Sequence, residues 1–153
     1  MSGFSLFLGL EPSDEDGVAC LQGRIQVGEF TEPLLCPIGY WARQDYVEQW
    51  LHALDQICMG KEKTALIVSI YDPESSNFVM VWPLYLIGDN VHVQNSIIFL
   101  EHLDEVFDAG KVGMYVEDHA TISDEGEKIS EWIVPVEAIR KALLRGVVTE
   151  TVT

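Results

Sequence analysis

Two short acidic segments hold the residues whose types could support metal binding or acid–base chemistry. In the first, Glu101, His102 and Glu105 fall within one turn of a predicted short helix, and carboxylates together with an imidazole can coordinate a divalent ion. On a helix, Glu101 and His102 point about 100° apart, so that only Glu101 and Glu105 share a face. A solvated acidic face is therefore the better interpretation of this segment.

The second segment is a polar loop in which Asp118 precedes His119, a combination that could serve as an acid–base pair. Loops of this composition are commonly just solvated. Nucleophilic catalysis would need a hydroxyl or thiol beside a base, and the chain has neither a Gly-x-Ser-x-Gly motif nor a cysteine next to a histidine in sequence. We predict no catalytic, cofactor-binding or metal-binding residue, and no enzymatic activity.

Acidity is the dominant property of the composition. The chain has 25 Asp and Glu residues against 9 Lys and Arg, a formal net charge of −16, and no Lys or Arg lies between Thr64 and Gly110. Nucleic acids and anionic membranes attract clustered Lys and Arg, so the composition argues against both as partners. A strongly negative chain attracts a basic partner. Acidity can also serve solubility alone, and from the charge by itself this is the better interpretation.

The length of 153 residues predicts one domain, residues 1–146, followed by a frayed C-terminal tail at residues 147–153. No segment resembles a signal peptide, and no apolar run is long enough to cross a bilayer. The three cysteines are widely spaced and lack a Cys-x-x-Cys pair, which argues against a disulfide framework or a zinc site. Together these features predict a cytoplasmic protein with reduced thiols.

Hydrophobic periodicity predicts an α+β fold, in which an antiparallel β-sheet is packed by one long helix and two shorter ones. Alternating apolar residues indicate strands over 4–8 and 21–27. Runs over 64–71, 78–87 and 91–99, separated by turn-forming residues, predict a three-stranded meander. Pro83 has no amide hydrogen, so its strand is predicted to lie at an edge or to be broken there.

Apolar residues at three- and four-residue spacing predict the long helix between Ala42 and Gly60. Trp50 lies on its apolar stripe and is expected in the core with Leu54 and Ile57. The shorter helices are predicted over 100–107 and from Pro135 to residue 145, and 112–116 and 129–134 are predicted as strands.

Three blocks of the sequence together resemble a family of small bacterial proteins. Its members include immunity proteins of contact-dependent growth inhibition systems, and the similarity spans about residues 39–144. Ile129-Ser130-Glu131-Trp132 is the most distinctive match, whereas Ala42 replaces the polar residue expected at a helix cap. The blocks are Tyr40-Trp41 with Asp45-Tyr46, Gln49-Trp50, Ala53-Leu54 and Gly60; Thr64-Ala65-Leu66-Ile67-Val68-Ser69; and Gly126-Glu127-Lys128-Ile129-Ser130-Glu131-Trp132.

The resemblance implies a cytosolic antitoxin that binds the C-terminal toxin domain of a surface effector, often a basic nuclease, and blocks its active site. The charge of the chain points independently to a basic partner, because dense carboxylates imitate the phosphate backbone that a nuclease attracts. Two alternatives remain open. One is an acidic scaffold without a toxin partner, and the other is an enzyme or small-ligand-binding protein whose site forms only in three dimensions.

The toxin-binding surface is expected at the end of the meander that carries the first turn. The two turns of a meander lie at opposite ends of the sheet, and the third strand returns the chain to the end with the first turn. The predicted helix over 100–107 would add its carboxylates there, and the later polar loop could complete the surface. The expected toxin-binding residues are Asp72, Glu74, Glu101, Asp104, Glu105, Asp108, Asp118 and Asp124.

Overall fold

The computed structural model describes residues 3–150, and within that range it contains three α-helices and ten β-strands. Two single turns of 3-10 helix, Leu100–His102 and Ala109–Lys111, lie between the eighth strand and the second helix. In chain order the elements are β1 (Phe4–Leu8), β2 (Ser13–Glu15), β3 (Val18–Val27), β4 (Phe30–Pro37), α1 (Arg43–Cys58), β5 (Lys63–Ser69), β6 (Phe78–Ile87), β7 (Asn90–Val93), β8 (Ser96–Phe99), α2 (Val112–Tyr115), β9 (Trp132–Pro135), α3 (Val136–Leu144) and β10 (Val148–Thr149).

The first sheet is built around β3, the longest strand of its half. β3 pairs antiparallel with β1 and β2 on one side and with β4 on the other, and β10 adds a parallel strand to β1. Gly23 is required in β3, because a Cβ atom there would lie 2.6 Å from the carbonyl oxygen of Phe7. Close approach of two backbones is a usual reason for glycine inside a strand.

The second sheet has the order β5-β6-β7-β9, and β8 continues β7 along the same edge of β6. The break between β7 and β8 lies opposite Pro83. The amide of Gln94 donates to the carbonyl of Pro83 (3.0 Å), but Pro83 has no amide to return the bond. The prediction that the strand of Pro83 lies at an edge or is broken there is wrong, because β6 is continuous from Phe78 to Ile87 and lies between β5 and β7; the break falls in the partner strand instead.

Helix α1 lies along the free edge of β5 and completes its hydrogen bonding. The side chain of Gln49 donates to the carbonyl of Ala65 and accepts from the amide of Ile67, both at 2.8 Å. The indole of Trp50 donates to the carbonyl of Ile67 at 2.7 Å. Unpaired backbone groups at a buried edge are costly, so these side chains act in place of a neighbouring strand.

The two sheets pack on one another with aromatic side chains between them. Phe30 of β4 stacks on Trp132 of β9 with ring centroids 3.9 Å apart, and Trp82 of β6 lies 5.5 Å from Trp132. Tyr46 of α1 also joins the layers, because its hydroxyl donates to the carbonyl of Pro37 in β4 (2.6 Å). The chain between β8 and β9 covers the second face of the β6 sheet.

The predicted α+β class, the long helix and the antiparallel meander are confirmed. The predicted single sheet is incomplete, because β2 and β4 were not anticipated and build a second sheet with β1 and β3. The predicted strand over 112–116 is wrong, since Val112–Tyr115 form α2. In this helix Gly113 packs against β5 so closely that an added Cβ would lie 2.9 Å from the carbonyl oxygen of Lys63.

The predicted helix over 100–107 is also wrong, because only Leu100–His102 form a single 3-10 turn. The chain must travel here from the end of β8 to α2, which packs beside the start of β5 at the other end of the sheet. An extended chain advances about 3.3 Å per residue against 1.5 Å in a helix, so an extended path suits this crossing. Leu103 and Phe107 mimic helical spacing but instead pack onto the core.

The described part of the predicted C-terminal tail, residues 147–150, is packed onto the first sheet and is not frayed. Val147 is buried, its carbonyl accepts from the amide of Leu6 (3.2 Å), and Val148–Thr149 pair with β1. The apolar pair at 147–148 therefore extends the first sheet. Residues 151–153 of the predicted tail lie outside the described residues.

Replacing Trp50 tests the contact between α1 and β5. Trp50 is fully buried, and Trp50→Ala is expected to lower the free energy of unfolding by about 3–5 kcal/mol. Trp50→Phe keeps part of the volume but leaves the Ile67 carbonyl without its donor, so a smaller loss of about 1–3 kcal/mol is expected. Urea denaturation measures both, with the exposed Leu51→Ala as the control on the same helix. Equal stability of Trp50→Ala and the control would contradict this packing.

Candidate functional site

The carboxylates of the first meander turn and of the segment after β8 meet at one end of the second sheet. Asp72 and Glu74 lie on the turn between β5 and β6, where the Asp72 carboxylate accepts from the amide of Glu74 (3.0 Å). The amide of Leu100 donates to the carbonyl of Asn77 at the end of the same turn (2.9 Å). Glu101 is therefore adjacent to the turn, as the strand directions predict.

Asp104 lies two residues after the 3-10 turn that contains Glu101. Its carboxylate is exposed, as is that of Glu74, and within residues 3–150 neither side chain forms a hydrogen bond or an ion pair. Glu101 lies 3.9 Å from His102, and both side chains are largely exposed. Since no Lys or Arg lies between Thr64 and Gly110, these carboxylates give this end of the sheet a negative charge.

The remaining predicted carboxylates are engaged elsewhere. Glu105 accepts from the hydroxyl of Tyr115 (3.2 Å) and lies 3.8 Å from the Lys111 ammonium group, and Asp108 caps the turn at Gly110. These contacts fasten the crossing segment to α2.

Asp118 lies at the opposite end of the sheet from Asp72. It pairs with the ammonium group of Lys63 at 3.0 Å, and Lys63 begins β5, six residues or about 20 Å before Ser69. Asp124 is exposed in a turn closed by the bridge between Ile122 and Lys128. The structure thus brings Asp72, Glu74, Glu101 and Asp104 to one end and separates Asp118 from them.

A ladder of exposed apolar side chains adjoins the acidic end. In the register of β6 and β8, Phe78 lies opposite Phe99 and Met80 opposite Ile97, so all four project from the same face. Their exposed fractions are 37%, 47%, 42% and 43%, respectively. A contiguous set of exposed large apolar residues is typical of interaction surfaces.

A groove of about 760 Å³ continues this face between the two sheets. Its walls include Leu34, Val68, Met80 and Trp82. Glu32 also lines it, because Glu32 lies opposite the buried Ile25 and so points to the inner side of β4. The groove therefore combines apolar walls with one carboxylate, that of Glu32, and one guanidinium group, that of Arg24.

Sequence reasoning missed both the ladder and the groove. Strand β6 is apolar at nearly every position from Phe78 to Ile87, which is a signal for a strand covered on both faces. The first sheet covers only the half of this face that contains Trp82 and Leu84, so the other half remains exposed. Strand β4, which supplies Glu32, was not anticipated at all.

A second polar cluster surrounds Glu131, immediately before β9. Glu131 contacts His119 (2.6 Å), Gln94 (3.0 Å) and His92 (3.2 Å). Burial alone would raise the pKa of the Glu131 carboxyl, but the interactions with His119, Gln94 and His92 outweigh it and hold the pKa below its usual value. The acid–base pair that Asp118 and His119 could have formed is absent, because Asp118 pairs with Lys63 and His119 contacts Glu131.

The thiols are not placed for nucleophilic chemistry. Burial raises the pKa of Cys36 to about 12, and it also raises the pKa values of Cys20 and Cys58. Within residues 3–150, no hydroxyl or thiol hydrogen bonds to a histidine side chain. Among the helices in this range, none is long and apolar enough to span a membrane.

Comparison with known proteins identifies the family. Residues 36–142 match the family model described as the CdiI N-terminal domain. The chain belongs to this family. A CdiI immunity protein of Enterobacter cloacae subsp. cloacae is 36% identical over 129 residues, which cover 84% of this chain and 88% of that protein. The resemblance to immunity proteins of contact-dependent growth inhibition systems is therefore confirmed.

A solved toxin and immunity complex extends the likeness to three dimensions. A chain of the CdiA-CT/CdiI toxin and immunity complex from Enterobacter cloacae aligns with a TM-score of 0.85 and 32% identity, over 93% of this chain and 97% of that chain. The CdiI family match begins at Cys36, near the end of β4, and includes α1 and the whole second sheet. The structural likeness includes most of the first sheet as well.

Proposed function

We propose that this chain is an immunity protein that binds and neutralises the C-terminal toxin domain of a contact-dependent growth inhibition effector. The observation that carries the proposal is the likeness, over 93% of the chain, to a chain of a toxin and immunity complex. Membership of the CdiI family supports it. In this role the chain acts in the cytoplasm by binding alone and has no enzymatic activity.

The toxin that fits this chain is basic, and a nuclease is the proposed class. The formal charge of −16 and the absence of Lys and Arg between Thr64 and Gly110 make a basic partner electrostatically favourable. Nucleases bind the phosphate backbone with Lys and Arg, and closely spaced carboxylates present the same sign of charge. Binding of this kind neutralises the enzyme by occupying the cleft that its substrate needs.

The binding surface is assigned to the acidic end of the second sheet together with its apolar ladder. Protein interfaces combine an apolar centre with a polar rim. Here Phe78, Met80, Ile97 and Phe99 form the centre, and the first turn and the segment after β8 supply the rim. The proposed rim is Asp72, Glu74, Glu101 and Asp104, and the more distant Glu105, Asp108, Asp118 and Asp124 add to the field that attracts the toxin.

The groove beside the ladder is suited to one long basic side chain of the toxin. Lys and Arg place their methylene stems against apolar surface and direct the charged group to an acceptor. Val68, Met80 and Trp82 provide such a surface. The Glu32 carboxylate lines the part of the groove next to Ile97 and Phe99, whereas Arg24 lines only the other part. Shape and charge together would favour the cognate toxin over other basic proteins.

Co-expression with the toxin domain encoded beside this chain's own gene tests the proposed function. The chain is expected to form a stable complex with that domain in size-exclusion chromatography and to restore growth of cells that produce it. A toxin domain of an unrelated system is the control and should be neither bound nor neutralised. Failure to bind and to protect against the neighbouring toxin would contradict the proposal.

Charge reversal tests the acidic rim. Glu74 and Asp104 have no partners within the described chain, so Glu74→Lys with Asp104→Lys should leave the fold intact. Association with the toxin is expected to slow at low salt and to depend less steeply on salt concentration, as stopped-flow mixing would measure. Glu48→Lys with Asp55→Lys on α1 changes the net charge equally. Equal association rates of the two double variants would contradict the assignment of the rim.

Truncation of the ladder tests the apolar centre. Met80→Ala with Phe99→Ala is expected to raise the dissociation rate at least about tenfold, because residues at the centre of an interface contribute most of its binding energy. The exposed Met114 and Leu144 lie outside the ladder, and their replacement by Ala is the control. Surface plasmon resonance measures the rates. Dissociation as slow as in the control would place the toxin elsewhere on the chain.

A further inference from the structure

Three side chains with metal-binding donor atoms converge on the second face of the β6 sheet. His92 lies on β7, His119 lies on the loop after α2, and Glu131 lies immediately before β9. One ligand atom from each lies within 4.8 Å of those of the other two. Since the three residues come from separate parts of the chain, the fold itself assembles this set.

The donor atoms point toward one another. The distance from His119 Nε2 to Glu131 Oε1 is 2.6 Å, and that from His92 Nδ1 to Glu131 Oε2 is 3.2 Å. His92 Nδ1 is shielded from solvent and, despite this short distance, lacks the alignment of a hydrogen bond. A buried nitrogen without a hydrogen bond is costly and needs a physical reason, and a ligand between the three side chains would supply one.

Neighbouring residues hold the three side chains in place. The buried Gln94 donates to Glu131 Oε1 (3.0 Å) and to the carbonyl of Ala120 (2.9 Å), which orients the carboxylate and the loop together. The ring of His119 meets those of Tyr85 and His92 edge to face, at 5.1 and 5.2 Å. Supporting contacts of this kind are typical of metal sites, where they fix the orientation of the ligands.

We propose that His92, His119 and Glu131 bind one zinc ion. Two imidazoles and a carboxylate are a known zinc ligand set, and the imidazoles disfavour Mg²⁺ and Ca²⁺, which prefer oxygen ligands. Zinc bound at about 2.0–2.2 Å in a tetrahedron needs donor atoms about 3.3 Å apart. The 3.2 Å from His92 Nδ1 to Glu131 Oε2 is close to this distance, and the 2.6 Å from His119 Nε2 to Glu131 Oε1 would widen on binding. The side chains are 18%, 25% and 14% exposed, so that the site is enclosed but still open to one water ligand.

The bound ion would fasten the loop between α2 and β9 to the sheet. Glu131 precedes Trp132, whose ring stacks on Phe30 between the two sheets, so the ion would also brace the contact between the layers. This role is structural and independent of the proposed toxin binding. The zinc site was not predicted from the sequence, because neither His92 nor Glu131 was considered as a ligand.

Zinc titration of the full chain, stripped of metal with a chelator, tests the proposal. Calorimetry is expected to show one equivalent of Zn²⁺ bound per chain, and the melting temperature should rise with zinc. His119→Ala and His92→Ala should each abolish both effects, whereas His102→Ala, outside the cluster, should retain them. Saturable binding that survives both cluster variants, or no binding to the unaltered chain, would overturn the site.

Cobalt substitution of the unaltered protein provides a second measurement that does not depend on how the variants fold. Tetrahedral Co²⁺ with nitrogen and oxygen ligands absorbs in the visible region without a thiolate charge-transfer band. That spectrum, with displacement by one equivalent of Zn²⁺, is the expected result. A thiolate band would instead assign the metal to a cysteine such as Cys58, and an unchanged spectrum would leave the cluster a network of hydrogen bonds only.

Discussion

The second sheet depends on hydrogen bonds between side chains of α1 and the outer edge of β5. A buried strand edge with unpaired amides and carbonyls would be strongly destabilising. Gln49, Trp50 and Tyr46 complete this edge, and the Tyr46 hydroxyl also bonds to Pro37 in the first sheet. One helix face therefore terminates one sheet and positions the other. Because hydrogen bonds are directional, these contacts determine where the first sheet can lie over β6.

That position decides which part of the second sheet is left open. The first sheet covers the half of the β6 face that contains Trp82 and Leu84, and it leaves the half with Phe78 and Met80 exposed beside the acidic turn. An apolar surface of this kind carries a risk of aggregation in an isolated protein. The surrounding carboxylates counter this risk by repulsion between copies of the chain, and they favour a basic partner.

The most distinctive part of the family resemblance has a structural explanation. Trp132 stacks on Phe30 where the two sheets meet, and Glu131 holds two histidines and Gln94 around the loop before β9. Both residues serve the interior of this chain, whereas the residues assigned to the toxin-binding surface lie outside that stretch. A shared fold with separate binding surfaces would allow members of one family to fit different toxins.

The sequence alone determined the elements whose signals are local. Helix α1 follows from periodicity, and strand β6 follows from an apolar run between turn-forming residues. Pro83 interrupts the pairing of β6 with its neighbour because proline lacks an amide hydrogen, and the charge follows from composition. Tertiary structure decided the rest. The segment after β8 has helical spacing at Leu103 and Phe107, but the need to cross the sheet keeps it extended. The exposure of the ladder, the position of Glu32 in the groove and the meeting of His92 with Glu131 all depend on which surfaces the second sheet and the long loop cover. Sequence periodicity cannot supply this, because it records which residues share a face but not what lies against that face.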